Sequence, residues 1–170
     1  LSGVIIGSVL GFLYYNLSNY RTMKIFMGDT GSMILGFLLA FTAICFVDIF
    51  IDKNLPEVPR YYLQSAPAIA MAILILPIID TLNVMIIRFS KGQSAFIADK
   101  NHIHHSLLDL GLTHRRSTFY ILVYYLFIIS VAYYFRHLNV NLLLLIILVL
   151  GFIGAYIPKI ILLRRKKTNF

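Results

Sequence analysis

With 170 residues, 59% of them hydrophobic, and a mean hydropathy of +0.83, the chain carries more apolar surface than one soluble core of its size could hide. A soluble domain is excluded and an integral membrane protein is expected. The formal net charge of +8 points to no nucleic-acid partner, because the cations gather in the loops as membrane topology requires.

A hydrocarbon core takes roughly 20 apolar residues per helical crossing. Four stretches of about that length and one shorter one run over 1–17, 32–51, 66–87, 118–135 and 140–163. They are too long for barrel strands, and backbone polar groups in lipid must pair internally, so all are read as helices. The expected fold is all-α: a polytopic transmembrane helical bundle with five crossings, forming one membrane domain over 1–170.

In the first stretch Gly3, Gly7 and Gly11 recur at every fourth position, a small-residue pattern that lets two membrane helices approach closely. The stretch opens without Met and without a basic segment, so it reads as neither a natural start nor a signal peptide. The chain is expected to be the C-terminal part of something longer. The next loop holds Arg21 and Lys24 and ends in a polar island, Met27-Gly28-Asp29-Thr30-Gly31-Ser32. The second helix should start just after it, with Asp29, Thr30 or Ser32 as N-cap and Gly28 and Gly31 allowing turn conformations. The single cysteine, Cys45, lies mid-helix; it excludes a disulfide within the chain and reads as a small apolar filler. Asp48 and Asp52 read as solvated residues near the outer end of this helix, with Lys53 and Arg60 in the turn beyond.

The third helix contains Pro77, which removes a backbone donor and frees a carbonyl one turn earlier. Asp80 is expected roughly 10 Å inside the helix's cytoplasmic end at a rise of about 1.5 Å per residue. An unpaired charge at that depth costs about 2 to 3 kcal/mol, so Asp80 should face protein, water or a cation. Asn83 shares its face, and Thr81 shares a face with Arg88. Helix-to-helix hydrogen bonding and a direct site role are both open for Asp80.

Residues 88–117 form the most polar segment, with Arg88, Lys91, Arg115 and Arg116 around a second island, Asp99-Lys100-Asn101-His102-Ile103-His104-His105. The run 104–110, stopped by Gly111, reads as a short interfacial helix with Leu107, Leu108 and Leu110 against lipid or protein. The closing run Arg164-Arg165-Lys166-Lys167 reads as an anchor on the anionic cytoplasmic leaflet. By the positive-inside rule the long polar loops and the tail are cytoplasmic, and the turns with Arg60 and Arg136 are external. The N-terminus then lies outside and the C-terminus inside. His137 takes a surface place, and His114 has no evident partner.

Both islands fall on the same predicted face, where acids and histidines rarely gather unless they do chemistry or transport. Asp29, between glycines at a helix start, can ligate Mg²⁺, while free N–H groups of Gly28, Thr30, Gly31 and Ser32 favour phosphate oxygens. An aspartate that merely caps the helix is the competing reading. His102, His104 and His105, flanked by Asp99, Lys100, Arg115 and Arg116, can bind a metal, donate to phosphates or move protons. Their spacing matches no common zinc motif and no cysteine is near. Phosphate and nucleotide handling leads, ahead of a bound transition metal and an inert cluster.

The strings KIFMGDTGSMILGF and PIIDTLNVMIIRFSKGQSAFIADKNHIHHSLLDLGLTHRRS resemble the C-terminal half of the polyprenyl-phosphate sugar-1-phosphate transferases. This is glycosyltransferase family 4, of the MraY/WecA type, and the resemblance is nearest its undecaprenyl-phosphate N-acetylglucosaminyl 1-phosphate transferase branch. The resemblance implies a Mg²⁺-dependent exchange, with Mn²⁺ as a substitute ion. In it a lipid phosphate attacks the sugar-linked phosphate of a UDP-sugar, giving a polyprenyl-diphosphate-sugar and UMP. It places the metal on Asp29 and nucleotide or diphosphate contacts on His102, His104 and His105, with Asp99 and Lys100 in the same loop motif. Asp80, Arg88, Arg115 and Arg116 are further candidate substrate contacts. Two departures stand out. The family's Ser-Pro-Phe is Ser94-Ala95-Phe96 here, and its adjacent aspartate pair is absent from the chain. The chain alone is therefore expected to be inactive.

The expected partners are a UDP-sugar, with GlcNAc as the leading choice, undecaprenyl phosphate, the bilayer and a second copy in a homodimer. The expected setting is a bacterial inner membrane, with the site on the cytoplasmic face, at the start of envelope polysaccharide synthesis. The alternatives are a proton- or cation-translocating protein and a membrane subunit that keeps the motifs without catalysis.

Overall fold

The computed structural model describes residues 2–16, 25–51, 62–90, 92, 94 and 102–168. Six helices follow in order: α1 (Ser2–Asn16), α2 (Gly28–Ile51), α3 (Ala66–Ser90), α4 (Ile103–Asp109), α5 (His114–Tyr134) and α6 (Val140–Thr168). No strand occurs among the described residues. Four helices are long and apolar enough to cross a membrane: Gly28–Ile51, Ala66–Ser90, His114–Tyr134 and, within α6, Val140–Leu162. The expectations for Arg21, Lys24, Asp52, Lys53, Arg60, Lys91, Ala95, Phe96, Asp99 and Lys100 lie outside the described residues.

The chain divides into two units, Leu1–Ile49 and Phe50–Phe170. In the first, α1 is apolar but only 15 residues long, about 22 Å at 1.5 Å per residue. A Cβ added at Gly3, Gly7 or Gly11 meets no atom within 4 Å, so the small-residue stripe has no packing neighbour among the described residues. The α2 helix is apolar all round and buries no residue; Met33, Phe37 and Ile44 stand exposed. A helix of that kind is suited to lipid or to other membrane helices.

The second unit holds the core. On α3 the buried residues Ala68, Ala72, Ile75, Ile79 and Asn83 recur at helical spacing and form one stripe. Leu143, Ile147, Gly151 and Ala155 make the matching buried ridge on α6, one residue every fourth position. The α3 helix packs chiefly on α6 and then on α5. Gly151 is needed where α3 and α6 come closest, because a Cβ there would lie 2.8 Å from Ile79 Cγ1 and 2.9 Å from Ile75 Cγ1. This use of a small residue lets membrane helices pack without a hydrophobic drive between them.

Pro77 lacks the N–H that would bond the Ile73 carbonyl, and the Tyr125 hydroxyl of α5 donates to that carbonyl instead. The freed carbonyl thus becomes a link between helices. At one end of the unit the Ser65 hydroxyl donates to the Arg136 carbonyl, joining the start of α3 to the turn between α5 and α6. At the other end the last turn of α3, all of α4, the first turn of α5 and the end of α6 share one side. α5 starts at His114, four residues earlier than the apolar pattern indicates. Thr113 caps it, its hydroxyl accepting from the Arg116 N–H at 3.4 Å, so polar residues extend the helix beyond the membrane.

Candidate functional site

In the first unit the chain enters α2 through Gly28, whose φ of 66° lies in the left-handed region that side chains resist. The helix therefore begins at Gly28. Asp29, Thr30 and Ser32, expected as caps, instead lie inside the helix start, and this corrects the sequence reading. The Ser32 hydroxyl donates to the Asp29 backbone carbonyl at 2.8 Å, while the residue itself is exposed. Gly31 is held by space: a Cβ there would sit 2.8 Å from Met27 Cγ. A carboxylate in a first turn lies at the positive end of the helix dipole, beside backbone N–H groups without helical partners.

No group of three or more His, Cys, Asp or Glu gathers among the described residues. Mg²⁺ asks for less, since it is commonly held by one or two carboxylates with waters and substrate phosphates completing its shell. The exposed carboxylate of Asp29 fits as one such ligand.

In the second unit Asp80 and the histidine segment meet. Asp80 Oδ2 lies 2.8 Å from His102 Nδ1, and Asp80 Oδ1 accepts the Ile103 N–H at 2.8 Å. His102 is the N-cap of α4 but makes no side-chain cap bond of its own. Asp80 supplies the missing acceptor from 23 residues upstream, satisfying the first orphan donor of the helix. Expected among the substrate contacts, Asp80 has both carboxylate oxygens engaged by protein donors.

The α4 helix then presents two faces. Ile103 and Leu107 turn to a cavity of about 630 Å³ between α3, α5 and α6, lined also by Ile79, Tyr124 and Phe127. Gly111, with φ of 90°, closes the helix as its N–H bonds the Leu108 carbonyl at 2.8 Å. The turn brings α5 back beside α4, and His104 Nε2 comes 3.2 Å from His114 Nδ1. Their rings stack with centroids 5.4 Å apart, and His105 stands edge-on to His104 at 6.0 Å. Burial, then His114, then His105 hold the His104 imidazole below its ordinary pKa. Sequence reading missed His114. Its signal was the Gly111 turn, which folds two short polar runs onto each other.

Arg115 and Arg116 are exposed in the first turn of α5. Cations are disfavoured at a helix N-terminus, so this pair suits an anion near that turn. Arg88 lies in the last turn of α3. Asn83 is 0% exposed, and its amide finds no hydrogen-bond partner among the described residues. His137 is exposed in the turn between α5 and α6, as a surface role requires.

A profile of glycosyl transferase family 4 matches residues 1–47. The decaprenyl-phosphate N-acetylglucosaminephosphotransferase of Mycobacterium leprae is 34% identical over 176 residues, covering 100% of this chain and 42% of its own length. The "Probable undecaprenyl-phosphate N-acetylglucosaminyl 1-phosphate transferase" of Bacillus subtilis is 39% identical over 134 residues, covering 78% of the chain and 33% of itself. The undecaprenyl-phosphate alpha-N-acetylglucosaminyl 1-phosphate transferase of Escherichia coli is 31% identical over 113 residues, or 66% of the chain and 28% of itself. The chain thus spans less than half the length of these relatives. No solved structure matches.

Proposed function

Because the chain is related to the polyprenyl-phosphate sugar-1-phosphate transferases of glycosyl transferase family 4, we propose that it is the C-terminal portion of such an enzyme. The reaction is transfer of N-acetylglucosamine 1-phosphate from a UDP-sugar to undecaprenyl phosphate. An oxygen of the lipid phosphate bonds to the sugar-linked phosphorus, the nucleotide's diphosphate linkage breaks, and UMP leaves. The observation that carries this reading is the cluster of His102, His104, His105 and His114 with Arg115 and Arg116 at the head of a membrane-crossing helix. Two phosphates must meet there despite their charges, and imidazole and guanidinium donors are the groups that offset them.

The apolar cavity under α4 adds the second requirement, room for hydrocarbon directly behind the polar face of the same helix. In the first unit Asp29 would hold Mg²⁺, which when bound supplies charge neutralisation to phosphate oxygens. Asp99 and Lys100 are proposed as further substrate contacts on the resemblance of their sequence motif alone.

In this reading the histidine end of the second unit is cytoplasmic, together with the α6 end that carries Arg164. The chain crosses a bacterial inner membrane five times, with its N-terminus outside and its C-terminus inside. The test is UMP release from UDP-GlcNAc and undecaprenyl phosphate in membranes holding the intact protein that carries this chain. Activity should need Mg²⁺, or Mn²⁺ in its place, and Asp29→Asn should lower it by roughly 100-fold or more, the size of loss seen when a major electrostatic stabiliser is removed. Full activity of Asp29→Asn would remove the metal from that residue, and failure to release UMP from any UDP-sugar would remove the reaction.

A further inference from the structure

We infer that Asp80 is a positioning residue which locks His102 into one tautomer, with Nδ1 carrying the proton and Nε2 presented to the phosphates. The inference rests on the proposed transferase reading for what Nε2 meets, and on geometry alone for what Asp80 does. Ionised carboxylate is an acceptor only, so the 2.8 Å contact between Asp80 Oδ2 and His102 Nδ1 requires a proton on Nδ1. The second oxygen is fixed by the Ile103 N–H at 2.8 Å. A carboxylate held at two points cannot rotate away from the ring, and the ring cannot flip without losing its partner.

His102 is therefore set in both direction and tautomer by a residue on the preceding membrane helix, the arrangement used wherever a working imidazole must offer a defined nitrogen. In the neutral ring Nε2 can take a proton but cannot donate to a phosphate oxygen; in the protonated ring, with Nδ1–H still held by Asp80, Nε2–H donates to one. With side-chain exposures of 44% for His102 and 28% for Asp80, the histidine is the more accessible of the two and the carboxylate stands behind it. His104 is set differently, by another histidine on α5, so the two have separate supports.

Asp80→Asn tests this with little change of shape. The Asn Oδ1 can still accept the Ile103 N–H and keep the start of α4, while its NH₂ now faces Nδ1 and drives the ring proton to Nε2. The measurement is ¹⁵N-histidine NMR of the intact protein in detergent, with the His102 signals assigned through His102→Gln. With the ring titrated to its neutral form, wild type should show Nδ1–H and a bare Nε2; Asp80→Asn should show the reverse, and Asp80→Glu should restore the first pattern.

In the transfer assay Asp80→Asn should lose about 10- to 100-fold in kcat, as loss of an orienting partner does. KM for UDP-GlcNAc and the melting temperature should stay close to wild type, and Asp80→Glu should recover most of the rate. An unchanged Nδ1–H pattern in Asp80→Asn, or wild-type kcat in that variant, overturns the inference. If wild type transfers no sugar phosphate, the transferase reading fails, while the ¹⁵N pattern still decides the role of Asp80.

Discussion

His104 is the residue whose surroundings make the plainest prediction about pH. Burial, the facing His114 and the neighbouring His105 all oppose its protonation. In the unfolded chain the ring returns to the ordinary value of 6.5, so below that pH the unfolded state binds more protons and stability rises with pH. The contribution is complete above about 6.5 and is lost as pH falls through the lowered folded value. In a histidine NMR titration His114→Gln should move His104 upward while leaving it below its ordinary value, because burial, the largest cause, remains. No movement would mean that the two rings do not share charge in solution. The residue types of this cluster were legible in the sequence, as three histidines within four positions. The pairings were not. Asp80 with His102 and His104 with His114 are contacts across 22 and 10 residues, and spacing along one helix says nothing about partners on another.

At the scale of elements, proline inside α3 shows how a local defect becomes a tertiary link. The sequence alone indicates that Pro77 frees the Ile73 carbonyl; that Tyr125 fills it depends on the rotation of α5, which no periodicity fixes when three faces of a helix are apolar. Tyr125→Phe leaves the carbonyl without a donor in an apolar setting and should cost about 1 to 3 kcal/mol. In a Pro77→Ala background the new N–H can take the carbonyl, so the same change should cost less, with a coupling of at least about 0.5 kcal/mol. Reversible unfolding of the four proteins in detergent measures the cycle, and an equal cost in both backgrounds would dissolve the link. Helix existence was well read, since long apolar runs admit few alternatives in lipid. The boundaries moved where polar caps extend helices past the membrane, as Thr113 does for α5 and the Gly28 turn does for α2.

For the whole molecule the open quantity is the course of the chain across the bilayer. Four helices meet the length of a crossing, and 15 residues of α1 are described, about 22 Å of a hydrocarbon core of about 30 Å. Five crossings need α1 to span with help from the residues at its ends or from local thinning; four need it to lie at the surface. The two courses differ in where position 2 falls relative to position 113. In an intact protein freed of other cysteines, including Cys45, single cysteines at Ser2, Thr113 and His137 can be tested with a membrane-impermeant maleimide on sealed cells. The proposed topology predicts labelling at 137 and 2 from outside, and at 113 only after permeabilisation. Labelling at 137 alone would lay α1 along the cytoplasmic surface, leaving the site where it is. Labelling at 113 from outside would turn the histidine face away from the cytosol that supplies nucleotide sugars, and with it the transferase reading of that face.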